Sequence, residues 1–244
     1  MRSFLVLVFI LVSFSQLFPL TASEILKKVN DNLNFKSAIM TVRMEISVPN
    51  QKPKVKVFKS WVLGEDKAYV EFLNSEDKNI RYLKLGKKLW IYDKSENNTF
   101  LISGHLLKQG MMGSAISYED MLESEDIYSK YSVSLADDEK VSGKDCYVLI
   151  LKAKVENVSY PYRKLWVQKE NFIPVREELF ALNGRLLKVV EIVEIRDYGN
   201  RYYPFRSIFY DKLREGTKTE IVVENVVFDV DIPDSIFTRR YLER

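Results

Sequence analysis

Alternation of apolar and polar residues is the feature that most constrains the fold of this chain. Along residues 38–48 every second residue, from Ala38 to Val48, is apolar, and the residues between them are mostly polar. Period-two alternation is typical of β-strands that bury one face. The rhythm recurs down the chain with short turns between segments. The sequence therefore predicts a mainly β (α+β) domain, a large curved antiparallel sheet of about eleven strands.

Two segments break the rhythm and are predicted to be helical. Ile25, Leu26, Val29 and Leu33 fall at helical spacing, and Ser23 is the expected N-cap. A second helix is expected over residues 117–130, where Ser117 and Asp120 fit the S-x-x-D variant of a helix-starting capping motif. Two helices of this size would cover a wide sheet only in part, so the sequence predicts an apolar cavity.

The N-terminus has the pattern of a secretory signal peptide. A short basic start precedes an apolar run over residues 4–18, which is short of the ~20 residues needed to span a bilayer. We expect residues 1–22 to be a cleaved signal peptide and residues 23–244 a single domain. The 37 basic and 34 acidic residues are interspersed, which argues against a nucleic-acid partner.

Few residues could carry enzyme chemistry. The chain has one histidine, His105, and one cysteine, Cys146, so an internal disulfide and a thiolate or imidazole zinc cluster are excluded. Glu119 and Asp120 belong to the densest acidic cluster, but a helix cap explains them better than an acid and a base. We therefore expect a binding protein without enzymatic activity, cofactor or metal.

The stretch QGMMGSAISYEDML, residues 109–122, is the longest departure from alternation. It lacks the spacing and the lysine of a nucleotide-binding loop. Gly110 and Gly113 are the predicted hinge, and methionine adapts to irregular apolar partners. We expect a cavity lined by alternate strand residues and covered by helix and loop residues. The predicted lipid-binding residues are Ile25, Val29, Met40, Val42, Met44, Trp61, Val70, Phe72, Trp90, Met111, Met112, Ile116, Met121, Val148, Ile150 and Trp166.

Three segments resemble the LolA/LolB lipoprotein-carrier superfamily. KKLWIYD (87–93) resembles its G-K-x-L-W-x-Y segment, and DIPDSIFT (231–238) resembles its closing segment with a phenylalanine. MMGSAISYEDM (111–121) is similar to the signature of the outer membrane lipoprotein-sorting-protein-like family. The order of elements matches over nearly all of residues 23–244.

This resemblance implies an unclosed half-barrel with a helical lid, located in the periplasm. It implies non-covalent carriage of lipid, or of the acyl chains of lipoproteins, between membranes or to an export system. The implied partners are an inner-membrane transporter or exporter and, transiently, a membrane. The alternative is a sensory or assembly module of the same fold that binds a membrane-protein partner. LolA carriers hold their lid with an arginine shortly after a strand tryptophan, whereas residues 64–66 after Trp61 contain none. Their lid mechanism is therefore not implied here.

Overall fold

A computed structural model describes residues 19–123, 130–156 and 158–244. Its described residues form one 13-stranded antiparallel sheet and three α-helices, so the predicted fold class is confirmed and the count of about eleven strands is too low. The strands are β1 (Ser37–Ser47), β2 (Lys54–Leu63), β3 (Lys67–Phe72), β4 (Ile80–Leu85), β5 (Lys88–Asp93), β6 (Asn98–Ile102), β7 (Tyr131–Val141), β8 (Lys144–Ala153), β9 (Tyr162–Gln168), β10 (Pro174–Phe180), β11 (Leu186–Asp197), β12 (Tyr202–Asp211) and β13 (Lys218–Phe228).

The sheet consists of two wings joined along one seam. The strand order is β6-β5-β4-β3-β2-β1-β13-β12-β11-β10-β9-β8-β7, so each wing is a meander of sequence neighbours. The seam pairs β1 with β13, from Ala38 opposite Phe228 to Ser47 opposite Lys218. Strands β6 and β7 are the two edges, and the sheet does not close into a barrel. The chain must therefore cross from one edge to the other between Ile102 and Tyr131.

Helix α1 (Ala22–Leu33) covers one wing. Ile25, Leu26 and Val29 are buried against a cluster that includes Leu149 and Leu165. The N-cap is Thr21 rather than the predicted Ser23: the Thr21 hydroxyl accepts from the Glu24 N–H, and the Glu24 carboxylate accepts from the Thr21 N–H. This reciprocal capping box satisfies two backbone donors, and it moves the start of the helix ahead of Ser23.

The crossing chain covers the other wing. Residues 104–123, here called the covering segment, contain two short 3-10 turns and helix α2 (Tyr118–Leu122). The predicted helix over 117–130 is therefore wrong in length, because α2 has five residues and ends at Leu122. Residues 124–129 of that prediction lie outside the described residues, as do residues 1–18 of the predicted signal peptide. None of the helices in the described part of the chain has the length and hydropathy needed to span a bilayer.

The C-terminal residues pack on the sheet face opposite to the covering segment. Ile232, Phe237 and Leu242, the last in helix α3 (Arg239–Leu242), are buried with Tyr69 and Leu83. This packing gives the sheet an apolar core on both faces.

Replacement of Phe237 by alanine tests whether the C-terminal residues are part of the core. Phe237 is 4% exposed. Its removal should lower the free energy of unfolding by about 3–5 kcal/mol, because a cavity replaces a buried ring. Val227→Ala is the control, since Val227 is 53% exposed and should change the value by less than about 0.5 kcal/mol. Equal effects in a urea titration would contradict the packing.

Candidate functional site

One face of the sheet, here called the inner face, carries both covers. A continuous cross-strand row runs along it from Ile46 through Thr219, Phe209, Val190, Glu177 and Leu165 to Leu149. The predicted residues Met40, Val42, Met44, Val70 and Phe72 also lie on this face, and each is at most 7% exposed.

The predicted covering residues separate into two groups. Met111 is buried, and Met112 and Met121 are half-buried, all against a cluster that contains Met44 and Phe72. Ile25 and Val29 belong to α1 and pack on the other wing. Ile116 is half-buried, and its carbonyl accepts from the Met111 N–H at 2.7 Å. The covers therefore meet the sheet in two apolar clusters rather than around one common lining.

Five predicted residues lie on the opposite, outer face. Trp61 pairs with Tyr69 and Trp90 with Leu83, and all four contribute to the cluster beneath the C-terminal residues. The pairing of Val148 with Trp166 continues the outer face, and Ile150 is 36% exposed there. The prediction that Trp61, Trp90, Val148, Ile150 and Trp166 share the cavity-facing side with Met40 and Val70 is therefore wrong.

Strand parity explains this error. A shift by one residue moves a whole strand to the other face, so the turns between strands decide which residues share a side. The β2–β3 turn places Trp61 opposite Tyr69 rather than opposite Val70. Because the C-terminal residues bury the outer face too, both faces carry apolar side chains, and the polarity of the sequence does not distinguish them.

The covering segment folds back on itself in a compact loop. Gly110 and Ser117 form an antiparallel bridge, and the Tyr118 N–H donates to the Gln109 carbonyl at 3.0 Å. A Cβ on Gly110 would lie 2.0 Å from the Ser114 carbonyl oxygen, so close approach requires this glycine. Gly113 has a φ of +84°, which glycine adopts without strain. Their role as a hinge stays a prediction.

Polar contacts attach this loop to the seam side of the sheet. The Ala115 N–H donates to the Thr219 hydroxyl at 2.8 Å. Arg214 donates to the carbonyls of Gly113, at 3.2 Å, and Ser114. The loop is therefore held through its backbone by side chains of β13 and of the β12–β13 hairpin.

Asp120 caps helix α2 and also bonds to two further side chains. The predicted capping box is confirmed: the Ser117 hydroxyl accepts from the Asp120 N–H, and the Asp120 carboxylate accepts from the Ser117 N–H at 2.6 Å. The same carboxylate accepts from the Tyr160 hydroxyl at 2.6 Å and pairs with Lys188. Asp120 thus joins α2 to the other wing, which sequence reasoning missed. The interruption of the apolar run LLKVV by Lys188 was the available signal.

Arg163 is the buried centre of this attachment. It lies on the inner face of β9 with a 4% exposed side chain and donates two hydrogen bonds to Glu123, at 2.7 and 2.9 Å. A third goes to Glu177 at 3.0 Å and a fourth to the Tyr131 hydroxyl at 3.1 Å. Burial opposes the charge of Arg163, but Glu177 and Glu123 outweigh it and hold its pKa well above the usual value. Burial also raises the pKa of Glu123, which Arg163 only partly offsets.

A cleft of about 1030 Å³ opens beside this attachment. Its walls are the covering segment, residues 158–160, the start of β11 and the hairpin after β12. Lys108, Lys188 and Arg214 contribute basic groups to it, and Glu119 and Asp211 contribute carboxylates. Burial, followed by repulsion from Asp120, raises the pKa of Glu119. The cleft is therefore a mixed polar opening at the margin of the cover.

The described residues show no arrangement suited to metal chemistry. No group of three or more histidine, cysteine, aspartate or glutamate residues among them is placed to hold a metal ion. Cys146 is buried, and burial raises the pKa of its thiol. Such a cysteine is a poor nucleophile.

Comparison with known proteins identifies the fold. A family model described as "uncharacterized protein" matches residues 64–244, well over half of the chain. No curated protein matches the chain. A DUF1329 family protein from Desulfovibrio piger is 22% identical with a TM-score of 0.80, and the match covers 91% of this chain and 95% of that one.

Two further solved structures carry informative names. A LolA superfamily protein from Nitrosomonas europaea is 24% identical with a TM-score of 0.76, covering 92% of this chain and 100% of that one. A domain from Vibrio parahaemolyticus, assigned as an outer membrane lipoprotein-sorting protein, is 19% identical with a TM-score of 0.78, covering 92% and 98%. The resemblance noted in the sequence is thus confirmed at the level of the fold.

Replacement of Arg163 by methionine tests the buried attachment. The change leaves Glu123 and Glu177 buried without their cation, so the free energy of unfolding should fall by about 3–5 kcal/mol. Arg206→Met is the matched control, because Arg206 makes a similar two-bond contact with Glu220 but its side chain is 45% exposed. The control should lose much less, because solvent screens an exposed ion pair. Equal losses in denaturant titrations would contradict a buried role for Arg163.

The stability contribution of Glu123 should decrease as the pH rises. Its pKa is raised in the folded protein above the ordinary value of 4.5, so folding favours the protonated carboxyl. The contribution is therefore fully present below pH 4.5 and is lost as the pH rises through the raised pKa. The measurement is the difference in the free energy of unfolding between wild type and Glu123→Gln, taken below pH 4.5 and at successively higher pH values.

Glu220→Gln should show the opposite slope. Its hydrogen bond to Arg206 lowers the pKa of Glu220 below 4.5, so its contribution is present above that pH and is lost on acidification. Parallel slopes for the two variants would contradict the assigned environments.

Proposed function

We propose a carrier function for this protein. The chain belongs to the family whose model matches residues 64–244, and it has the fold of the LolA superfamily. It is a carrier that binds lipid, or the acyl chains of lipoproteins, between the inner face and the covering segment. It performs no chemistry on its cargo. The names of the structural relatives, one of them a lipoprotein-sorting protein domain, support this class of cargo.

The observation that carries the proposal is the methionine-rich contact between cover and sheet. Met111, Met112 and Met121 pack on an inner-face cluster that contains Met44 and Phe72. Methionine side chains repack around irregular apolar partners at low cost. An acyl chain can therefore replace the methionines against the sheet, while the polar attachments at Arg163 and Lys188 set how far the cover moves.

The energetics suit a carrier that loads and unloads without a chemical step. Burial of an acyl chain contributes about 0.8 kcal/mol per CH₂ group, similar to what a bilayer offers. The cargo then exchanges between protein and membrane with a small net change in free energy. Contact of the cover with the empty inner face keeps the apolar surface away from water between transfers.

The same proposal places the protein in the periplasm. Residues 1–22 act as a cleaved signal peptide, and residues 23–244 form the carrier domain. The cut after Ala22 removes the N-cap Thr21, so α1 of the mature protein starts without the capping box. An inner-membrane transporter or exporter is the proposed source or recipient of cargo.

Substitution of the covering methionines tests the carrier function. Met112→Glu with Met121→Glu places two carboxylates on the apolar underside of the cover, where both positions are half-buried. Co-purified lipid, measured by native mass spectrometry after gentle extraction, should fall at least tenfold, because a charge is costly in an apolar cavity. Leu101→Glu, on the outer face of the edge strand β6 and 47% exposed, should leave the lipid content unchanged.

The outcomes separate the carrier from the sensory alternative. Wild-type protein without lipid that binds a membrane-protein ectodomain tightly would contradict carriage and favour a sensory or assembly module. Equal loss of lipid in the Leu101→Glu control would contradict the location of the cargo.

A further inference from the structure

The hairpins β8–β9, β10–β11 and β12–β13 turn at the same end of the sheet, next to the cleft. Their tips, here called the rim, comprise residues 152–156, 158–161, 181–185 and 212–218. Val158 lines both the large cleft and a smaller one of about 320 Å³ that contains Val155 and Leu182. Leu213 lines the large cleft on its other side. The rim therefore borders the opening beside the covering segment.

Apolar side chains project from each hairpin of the rim. Val155 is 49% exposed, Leu182 74% and Leu213 55%. Leu182 has the highest exposed fraction among the large exposed apolar side chains of the described residues. A single exposed apolar residue on a surface is ordinary, but one at each of three adjacent tips needs an explanation.

Charge identifies the partner chemistry. Exposed charges on the rim are mostly positive. The cations are Lys152, Lys154, Arg185, Lys212 and Lys218, together with Arg214, which is already paired with Asp211, and the carboxylates are Glu156 and Glu215. Apolar tips among cations match a bilayer interface, where side chains enter the acyl boundary and cations meet anionic headgroups.

We propose that the rim is the surface by which the protein docks on an anionic lipid bilayer, with Val155, Leu182 and Leu213 inserted below the headgroups. The proposal rests on the proposed carrier function, for which it identifies the side that faces the membrane. Docking in this orientation brings the cleft and the margin of the covering segment to the bilayer surface. Lipid then passes between bilayer and inner face without crossing bulk water.

The test uses vesicles of phosphatidylcholine alone and of phosphatidylcholine with phosphatidylglycerol. Leu182→Trp supplies a reporter, whose emission should shift to the blue on the phosphatidylglycerol vesicles. Leu101→Trp, at the exposed outer face of β6, should not shift. Co-sedimentation measures the affinity for both vesicle types, and added salt should weaken binding to the anionic ones.

Two triple variants separate the apolar and the charged contributions. Val155→Ser with Leu182→Ser and Leu213→Ser should weaken binding to phosphatidylglycerol vesicles at least tenfold, whereas Leu101→Ser with Val193→Ser and Val227→Ser should not change it. Lys154→Gln with Arg185→Gln and Lys212→Gln should weaken binding roughly a hundredfold. Lys27→Gln with Lys87→Gln and Lys88→Gln, three exposed lysines away from the rim, are the charge control.

Docking and carriage fail separately in this design. Equal vesicle binding by wild type and both rim variants, or no preference for phosphatidylglycerol, overturns the docking surface even if co-purified lipid is present. Absence of wild-type vesicle binding overturns it too, whatever protein the rim binds instead. Loss of vesicle binding in the rim variants supports docking. If the wild-type protein at the same time contains no lipid, the result contradicts the carrier function but not the docking surface.

Discussion

The pairing of β1 with β13 determines the rest of the architecture. These strands come from near opposite ends of the domain, and their hydrogen bonds join two wings that are otherwise local meanders. Because the seam lies in the middle of the sheet, the strands from the middle of the sequence, β6 and β7, become its edges. The chain between these edges has to connect one wing to the other. The covering segment thus follows from the strand order.

The covering segment contacts the sheet in two ways that differ in physical character. Its apolar side rests on the Met44 cluster through flexible methionines, which tolerate rearrangement. Its polar side ends at Arg163 and Lys188, where buried charges require their partners. The apolar contact is adaptable in shape, whereas the polar contact allows few geometries. The proposed carrier function requires both properties, because the cover would close in one position and still accept cargo of variable length.

The sequence predicted most of the strands, but it did not predict which side chains lie on which face of the sheet. Alternation predicted the strands, and S-x-x-D predicted the cap of α2, because both signals are local. The sides of Trp61 and Trp90 depend on turn geometry and on the distant C-terminal residues, which bury the outer face. The sequence did not predict the hydrogen bonds of Arg163, because its partners lie on three separate elements. The superfamily arginine is missing after Trp61, yet an arginine on β9 holds the cover by different contacts.

The covering segment is attached to both wings of the sheet, and this has a mechanical consequence. A lid on a single hinge can swing open while its frame stays rigid. Here the cover follows the edge strand β6, and its other end is bonded to Arg163 of β9 and Lys188 of β11, so it acts as a tie between the two wings of the sheet. Flattening the sheet would pull this tie taut, and curling the sheet would slacken it. The curvature of the sheet and the position of the cover are therefore coupled, and bending the sheet from its outer face would also displace the cover.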